Sequence, residues 1–308
     1  MFLLITYSMK DTKRYIDLHS HTNYSDGLYV QPRENVALAA LKGINIFAVT
    51  DHDNTAGYYE AKTEADKLGI TLIPGVEITT PKYHLLGLNF DPGNKKFQDF
   101  LAYSKNIQNN KCKERINLIR EYGFPITFDE VLKEFPNSRL AKYNIFAAMM
   151  KNPGCREIME REFPEQSPLE RFRTYFSKGG LVDGLEDVGV EVTDAVNETH
   201  NAGGVIIWAH PPKDAKDITE AEELFAKGID GLEEQPKFVD KFNYALFRKF
   251  AEGNSLPISY GSDYHGPTFD RKILGMDENI LSPELEELLN QGYVKIPSIK
   301  LEEVLKCP

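Results

Sequence analysis

The sequence predicts an α/β fold, a parallel sheet wrapped by helices and broken by one long helical insertion. The first ninety residues alternate short apolar runs with helical patterns, as βα units do. From about Phe97 to Leu185 the alternation gives way to helical sequence rich in Lys, Arg and Glu. Beyond it, the alternation resumes.

Tyr15 to Leu18 reads as a strand ending at His19. Pro32 suits the first turn of a helix and Gly43 closes it. Ile44 to Val49 is a continuous apolar run, as a buried parallel strand requires, and ends in Thr50-Asp51-His52-Asp53. A helix over Ala56 to Leu68 stops at Gly69, and the strand Ile70 to Val76 ends at Glu77. His84 to Phe90 is a further short apolar segment, closed by Asp91-Pro92-Gly93. After the insertion, a helix over Glu191 to Asn201 sets Val192, Ala195, Val196 and Thr199 on one face. Gly203-Gly204 leads into the strand Val205 to Ala209, which ends at His210-Pro211-Pro212. A helix near Ala221, a strand over Ile229 to Leu232 and a helix over Lys237 to Glu252 follow. The strand Pro257 to Tyr260 then ends at Ser262-Asp263-Tyr264-His265. The expected division is a tail or edge strand over 1–14, a barrel over 15–96 and 186–308, and an inserted helical cap over 97–185.

Composition narrows the function classes. The chain of 308 residues is 41% hydrophobic and 27% charged, within the globular range. No apolar run approaches the roughly 20 residues of a membrane span. The opening MFLLITY lacks the basic flank, apolar length and cleavage site of a signal peptide, so a cytoplasmic protein is expected. Cys112, Cys155 and Cys307 form no CxxC pair, which argues against a disulfide framework and a thiolate zinc site. A net charge of -11 disfavours long nucleic acids but leaves room for a small phosphorylated substrate held at cations.

The seven histidines carry the functional signal. His19 and His21 project to one side of an extended chain, and two neutral imidazoles suit zinc, iron or manganese. His52 is a candidate ligand flanked by Asp51, which would orient a neighbour, while Asp53 or Asn54 would cap the following helix. Glu77 at a strand end would bridge two cations, since an unpaired buried charge there is costly. His84, alone, is more often a core histidine than a ligand, and Asp26 in Ser25-Asp26-Gly27 is a turn residue first. His210 is stiffened by two prolines, and Asp263-Tyr264-His265 repeats the HxH spacing with one carboxylate. His200 lies on a helix end with no partner motif and is left out. His19, His21, His52, Glu77, His210, Asp263 and His265 fall at strand ends, which converge on one face of a β/α barrel. Nine N and O donors exceed the three protein ligands usual for one catalytic zinc, and fit two or three ions.

The segments YIDLHSHTNYSDG, FAVTDHDNTAGYYEA, LIPGVEITT, HLLGLNF, GGVIIWAHP and YGSDYHG closely resemble the polymerase-and-histidinol-phosphatase (PHP) family, in order and approximate spacing. The subgroup most similar comprises bacterial phosphoesterases acting on nucleoside 3′,5′-bisphosphates and on short RNA from its 5′ end. The resemblance implies a distorted (β/α)₇ TIM-like barrel with two or three divalent ions, manganese, iron or zinc. One ion would be held by His19, His21, Glu77 and Asp263, a second by Glu77, His84 and His210, a third by Asp26, His52 and His265. Asp51, His52, Glu77, His210 and Asp263 would form the catalytic set, with water as nucleophile. Phosphate would be gripped from the cap by Arg115 and, where the family carries Arg-x-His, by Lys142 and Asn144 of Lys142-Tyr143-Asn144. Lysine lacks the planar fork of arginine, so an altered grip is expected. Three other readings compete: a histidinol-phosphate phosphatase, a non-catalytic PHP module, and a zinc amidohydrolase, for which Glu77 is the wrong bridging residue.

Overall fold

The computed structural model describes residues 14–177, 179–182, 185, 187–212, 215–234, 244–266 and 279–297. All of the predicted 1–14 tail but Arg14, and the first part of the predicted 237–252 helix, lie outside these residues. Seven strands follow one another in chain order around one sheet: β1 (Ile16–Asp17), β2 (Ile46–Val49), β3 (Thr71–Thr79), β4 (His84–Leu88), β5 (Val205–Trp208), β6 (Gly231–Glu234) and β7 (Ile258–Tyr260). The chain beyond β7 returns to β1. Leu18 N donates to Tyr260 O at 3.0 Å, Asp263 N to His19 O at 2.9 Å and His21 N to Tyr264 O at 2.8 Å. The sheet thereby becomes a nearly closed barrel.

β4 runs antiparallel to both β3 and β5, which corrects the expectation of a parallel sheet at this strand. The reason is connection length. Only residues 80–83 join β3 to β4, whereas a parallel neighbour needs a crossover of about a dozen residues or more. Thr80 closes the turn, its N donating to Tyr83 O at 3.0 Å and its Oγ1 accepting from Tyr83 N at 2.8 Å. β3 also runs two residues past Glu77, so Glu77 lies within the strand instead of beyond it.

Strand alternation sorts the apolar side chains into two populations. Ile16, Leu18, Ile46, Ala48, Ile73, Leu86, Leu88, Val205, Ile207 and Ala209 point inward and form one buried cluster with Leu285 and Leu289 of α11 (Pro283–Leu289). Asn89, just after β4, donates to Leu289 O at 2.6 Å, which seats α11 under the end of the barrel where the parallel strands begin. The opposite rim is left for polar groups. Outward residues Phe47, Val49 and Leu72 pack on α1 (Pro32–Leu41) and α2 (Ala56–Leu68). Val76, Ile78, Ile206, Trp208 and Leu232 pack on α8 (Val192–Asn201), α9 (Thr219–Ala226) and α10 (Tyr244–Gly253).

α3 (Lys95–Glu121) serves two cores. Phe97 and Leu101 join the barrel cluster, while Cys112, Ile116 and Ile119 join a second one. That second cluster takes Val131 of α4 (Phe128–Glu134), Ile145 and Met149 of α5 (Lys142–Lys151), Met159 of α6 (Pro153–Glu162) and Phe172 of α7 (Pro168–Phe176). The sequence division at residue 97 cuts the first turn of α3, whose N-cap is Asn94, its side chain accepting from Phe97 N.

Candidate metal centre

Glu77 is the hub of the polar rim. It lies on the inner face of β3, four residues past inward-pointing Ile73, and is 1% exposed. Its Oε2 sits 3.1 Å from His19 Nε2, 3.1 Å from His21 Nε2 and 3.3 Å from His52 Nδ1. Its Oε1 sits 2.9 Å from His84 Nδ1 and 2.9 Å from His210 Nε2. His84 reaches this rim because β4 is antiparallel: the first residue of β4 lies beside the last of β3. Asp263 Oδ1 lies 3.5 and 3.3 Å from the Nε2 atoms of His19 and His21. Asp26 Oδ1 lies 3.1 Å from His265 Nε2, and Asp26 Oδ2 lies 3.8 Å from His52 Nε2. All nine predicted ligands thus meet at one rim. His200 lies away from it, partly exposed and paired with Asp230 at 2.8 Å.

The donor set fits divalent ions. Donors about 2.0–2.2 Å from a tetrahedral ion stand about 3.3 Å from one another. The four groups His19, His21, Glu77 and Asp263 show spacings of 3.1–3.5 Å. Glu77 Oε1, His84 and His210 show 2.9–3.3 Å. His52 Nδ1 is buried with no hydrogen-bond partner, a state that a bound cation would relieve.

Outer partners aim the rings. His19 Nδ1 donates to Glu233 Oε1 at 2.8 Å, leaving Nε2 to face the cluster. Glu233 Oε2 accepts from His210 N at 2.7 Å, so one carboxylate holds two ligand positions. His21 Nδ1 donates to Ser25 Oγ at 3.3 Å, and Ser25 Oγ donates to Asp51 at 2.6 Å. His265 Nδ1 donates to Asp263 O at 2.9 Å. Three residues at or beside the ligands, Asp53, His210 and Asp263, hold positive φ values of 49°, 30° and 51°. Such backbone strain in non-glycine residues persists where the surroundings over-determine it.

Asp51 lies behind the ligands, its backbone O accepting from Glu77 N at 3.3 Å. Its carboxylate accepts from Thr22 N and Oγ1 and from Ser25 Oγ, the hydroxyl beside His21 Nδ1, an arrangement that would orient the His21 ring. Asn144 is fully buried, accepting from Ala141 N at 2.8 Å and donating to Ser25 O at 3.3 Å. It caps α5 from within the fold and is not among the residues that line the cleft. Glu233 and Arg139 were missed. Glu233 alternates with outward Leu232 and so faces inward, which was readable only with the strand's faces assigned.

Protonation follows the same geometry. Burial opposes a proton on His21, but hydrogen bonds to Asp263 and Glu77 and the charges of Glu77 and Asp26 outweigh it, raising the ring to about 9. His19, despite burial, is held well above its usual value by Glu233 and Glu77. Glu77 stays ionised well below the carboxylate range: burial raises it, but His52, His19 and His84 prevail. His52 is pushed well below the imidazole range by burial, and Arg139 and His21 add to this against the charges of Glu77 and Asp26. In the metal-free state protons stand where cations would. Loading Mn²⁺ near pH 7.5 therefore releases protons, and affinity rises with pH toward about 9. His21 stabilises the metal-free fold below its unfolded value near 6.5, and this contribution is lost as pH rises through about 9. Titration calorimetry in buffers of different ionisation enthalpy checks this, and loading without proton release contradicts it.

A cleft of about 510 Å³ opens beside the rim. Asp26, His52 and His84 line it together with Arg115, Arg139, Lys142 and Tyr143. The cleft and the metal rim thus share one mouth.

The PHP-domain family profile matches residues 17–154. The chain is 30% identical to a 5′-3′ exoribonuclease of Haemophilus influenzae over 83% of its own length and 91% of that protein's. It is 27% identical to a phosphoribosyl 1,2-cyclic phosphate 1,2-diphosphodiesterase of Eggerthella lenta, over 81% of this chain and 94% of the other. It is also 27% identical to a 3′,5′-nucleoside bisphosphate phosphatase of Chromobacterium violaceum, over 86% of this chain and 92% of the other. The fold matches a structure from Bifidobacterium adolescentis described as a candidate metal-dependent phosphoesterase (TM-score 0.71, 23% identity, 91% and 97% of the two chains). Among the described residues no helix is long and apolar enough to cross a membrane. Sequence likeness and barrel point the same way as the donor cluster: the chain belongs to the PHP family of metal-dependent phosphoesterases and is a phosphoric ester hydrolase.

Proposed function

We propose that the chain hydrolyses a phosphomonoester on a nucleoside 3′,5′-bisphosphate or a short 5′-phosphorylated oligonucleotide. One observation carries this reading: Asp26, His52 and His84 of the donor cluster line the same cleft as Arg115, Lys142 and Tyr143. A phosphate at the donor cluster and a second anion at the cationic side chains fit that arrangement. Tyr143, stacked on Phe172 at 4.4 Å with an interplanar angle of 15°, supplies a rigid aromatic ring suited to a base. In this reading the helical segment 97–185 is a cap over the barrel built from 15–96 and 186–308.

The proposed ligand sets are His19, His21, Glu77 and Asp263; Glu77, His84 and His210; and Asp26, His52 and His265. Bound divalent ions supply Lewis acidity toward phosphoryl oxygens and acidify water to near-neutral pKa. Glu233 and Ser25 keep the Nε2 atoms of His19 and His21 turned to the cluster. Arg115 and Lys142 orient the far end of the substrate.

The test is phosphate release by Mn²⁺-loaded protein from adenosine 3′,5′-bisphosphate, 5′-monophosphates, short 5′-phosphorylated RNA, histidinol phosphate and a ribose 1,2-cyclic phosphate. Turnover on the bisphosphate or the RNA, lost on chelation and restored by Mn²⁺, is expected. Preference for histidinol phosphate or the cyclic ester would overturn the substrate assignment, and metal-loaded protein inert on all five would favour a binding module.

A further inference from the structure

We infer that Arg139 is a specificity-determining residue, completing with Arg115 a buried anion subsite that holds a second, non-reacting phosphate. This rests on the substrate reading above. Arg115 and Arg139 are each 7% exposed, and both line the cleft. Burying two guanidinium groups in one cleft is costly unless anions compensate them. Protein anions do so only in part. Arg115 Nη2 has Asp187 at 4.0 Å, a carboxylate that is itself largely exposed, and Arg115 Nε is buried without a hydrogen-bond partner. Burial lowers the Arg115 pKa and the Arg139 charge lowers it further, so the two cations act on each other. An incoming phosphate dianion removes both penalties at once.

Arg139 is fixed before substrate arrives. Its Nε donates to Asp53 Oδ2 at 3.3 Å and its Nη2 to Thr79 Oγ1 at 2.8 Å. Asp53 is held in turn by Ser104 Oγ at 2.8 Å and Thr79 N at 3.0 Å. A guanidinium carries five N–H donors, and among the described residues the remaining ones meet no protein acceptor. The anchors are themselves informative. Asp53 follows His52, and Thr79 is the last residue of the strand that carries Glu77. The anion subsite is therefore bolted to the two strand ends that supply metal ligands, which fixes its distance from the reacting phosphate. Such a ruler favours substrates whose two phosphates match that distance over substrates with one.

The experiment compares kcat/KM for adenosine 3′,5′-bisphosphate with that for adenosine 5′-monophosphate in the Mn²⁺-loaded enzyme and in Arg139→Ala and Arg139→Lys. The wild type is expected to prefer the bisphosphate. In Arg139→Ala the ratio of the two values falls about 30-fold, as loss of charge-assisted hydrogen bonds to one phosphate predicts. Arg139→Lys restores the ratio only in part, because a point charge cannot reproduce the fork. Equal losses on both substrates would mean that Arg139 only supports Asp53, and would overturn the inference. So would a wild type indifferent to the second phosphate, even with phosphoesterase activity intact. Inactivity on every phosphate ester would instead sink the functional reading. Should Arg139→Ala fail to fold, Arg139→Lys and Arg115→Ala decide: both must lower the same ratio, and an unchanged ratio in both overturns the subsite.

Discussion

Glu77→Gln lowers kcat by about 10³-fold or more and depletes bound metal, while the barrel stays folded. The substitution keeps the side chain's volume and removes one charge. In the wild type the two carboxylate oxygens face different partners: Oε2 faces His19, His21 and His52, and Oε1 faces His84 and His210. An amide offers one acceptor oxygen and turns an NH₂ group toward one of these sets, where imidazole lone pairs already point. Both sets of donors lose their shared anion. Bound metal contributes several kcal/mol of charge stabilisation in the transition state, and each tenfold in rate is about 1.4 kcal/mol. Elemental analysis, kcat on the best substrate and far-UV circular dichroism together check the claim. Stoichiometric metal with kcat within tenfold of wild type would show that no carboxylate is shared.

The same carboxylate shows how far sequence alone reaches. HxH, DHD, His-Pro and DxH are local patterns next to apolar runs, and a barrel brings the ends of such runs together whatever their separation in sequence. The rim was therefore legible before any coordinates. The strand order around it was less so. Nothing in the apolar run after His84 distinguishes a strand entering the rim from one leaving it; only the four-residue connection after Thr79 does. Reading that length as a hairpin would have placed His84 at the rim without recourse to resemblance. Glu233 was illegible for a different reason. A Glu-Glu pair after a short apolar run looks like a strand's solvated end, and both carboxylates prove to be buried. Their roles divide by alternation: Glu233 faces the ligands, while Glu234 pairs with Arg248 at 2.6 Å. Asn144 differs in the opposite sense: its place in a motif suggested a ligand contact, whereas its side chain is buried in cap hydrogen bonds.

Gly261→Ala disables the centre although Gly261 offers no donor to any metal. The residue lies between β7 and Asp263, where the returning chain passes closest to β1. A Cβ added there would stand 2.2 Å from His19 Cβ, 2.9 Å from His19 N and 2.5 Å from Glu233 Oε1. Two of these atoms are backbone or backbone-proximal and cannot swing aside as the tip of a flexible side chain would. Relief requires moving β1 away from β7, which carries His19 off Glu77 and pulls Glu233 off the His19 ring. Overpacking of this kind costs about 1–3 kcal/mol of stability, which lowers Tm by several degrees in a chain of this size. The catalytic effect is larger, because a displacement of about 1 Å in a positioned group costs about 10²-fold. Gly253→Ala is the matched control, since a Cβ there meets nothing within 4 Å. The expected pattern is a loss of at least about 100-fold in kcat/KM and of tightly bound metal for Gly261→Ala, and neither for Gly253→Ala. Wild-type metal content and turnover in Gly261→Ala would mean that β1 and β7 yield freely at the rim, and that close approach of the two strands does not set the position of His19.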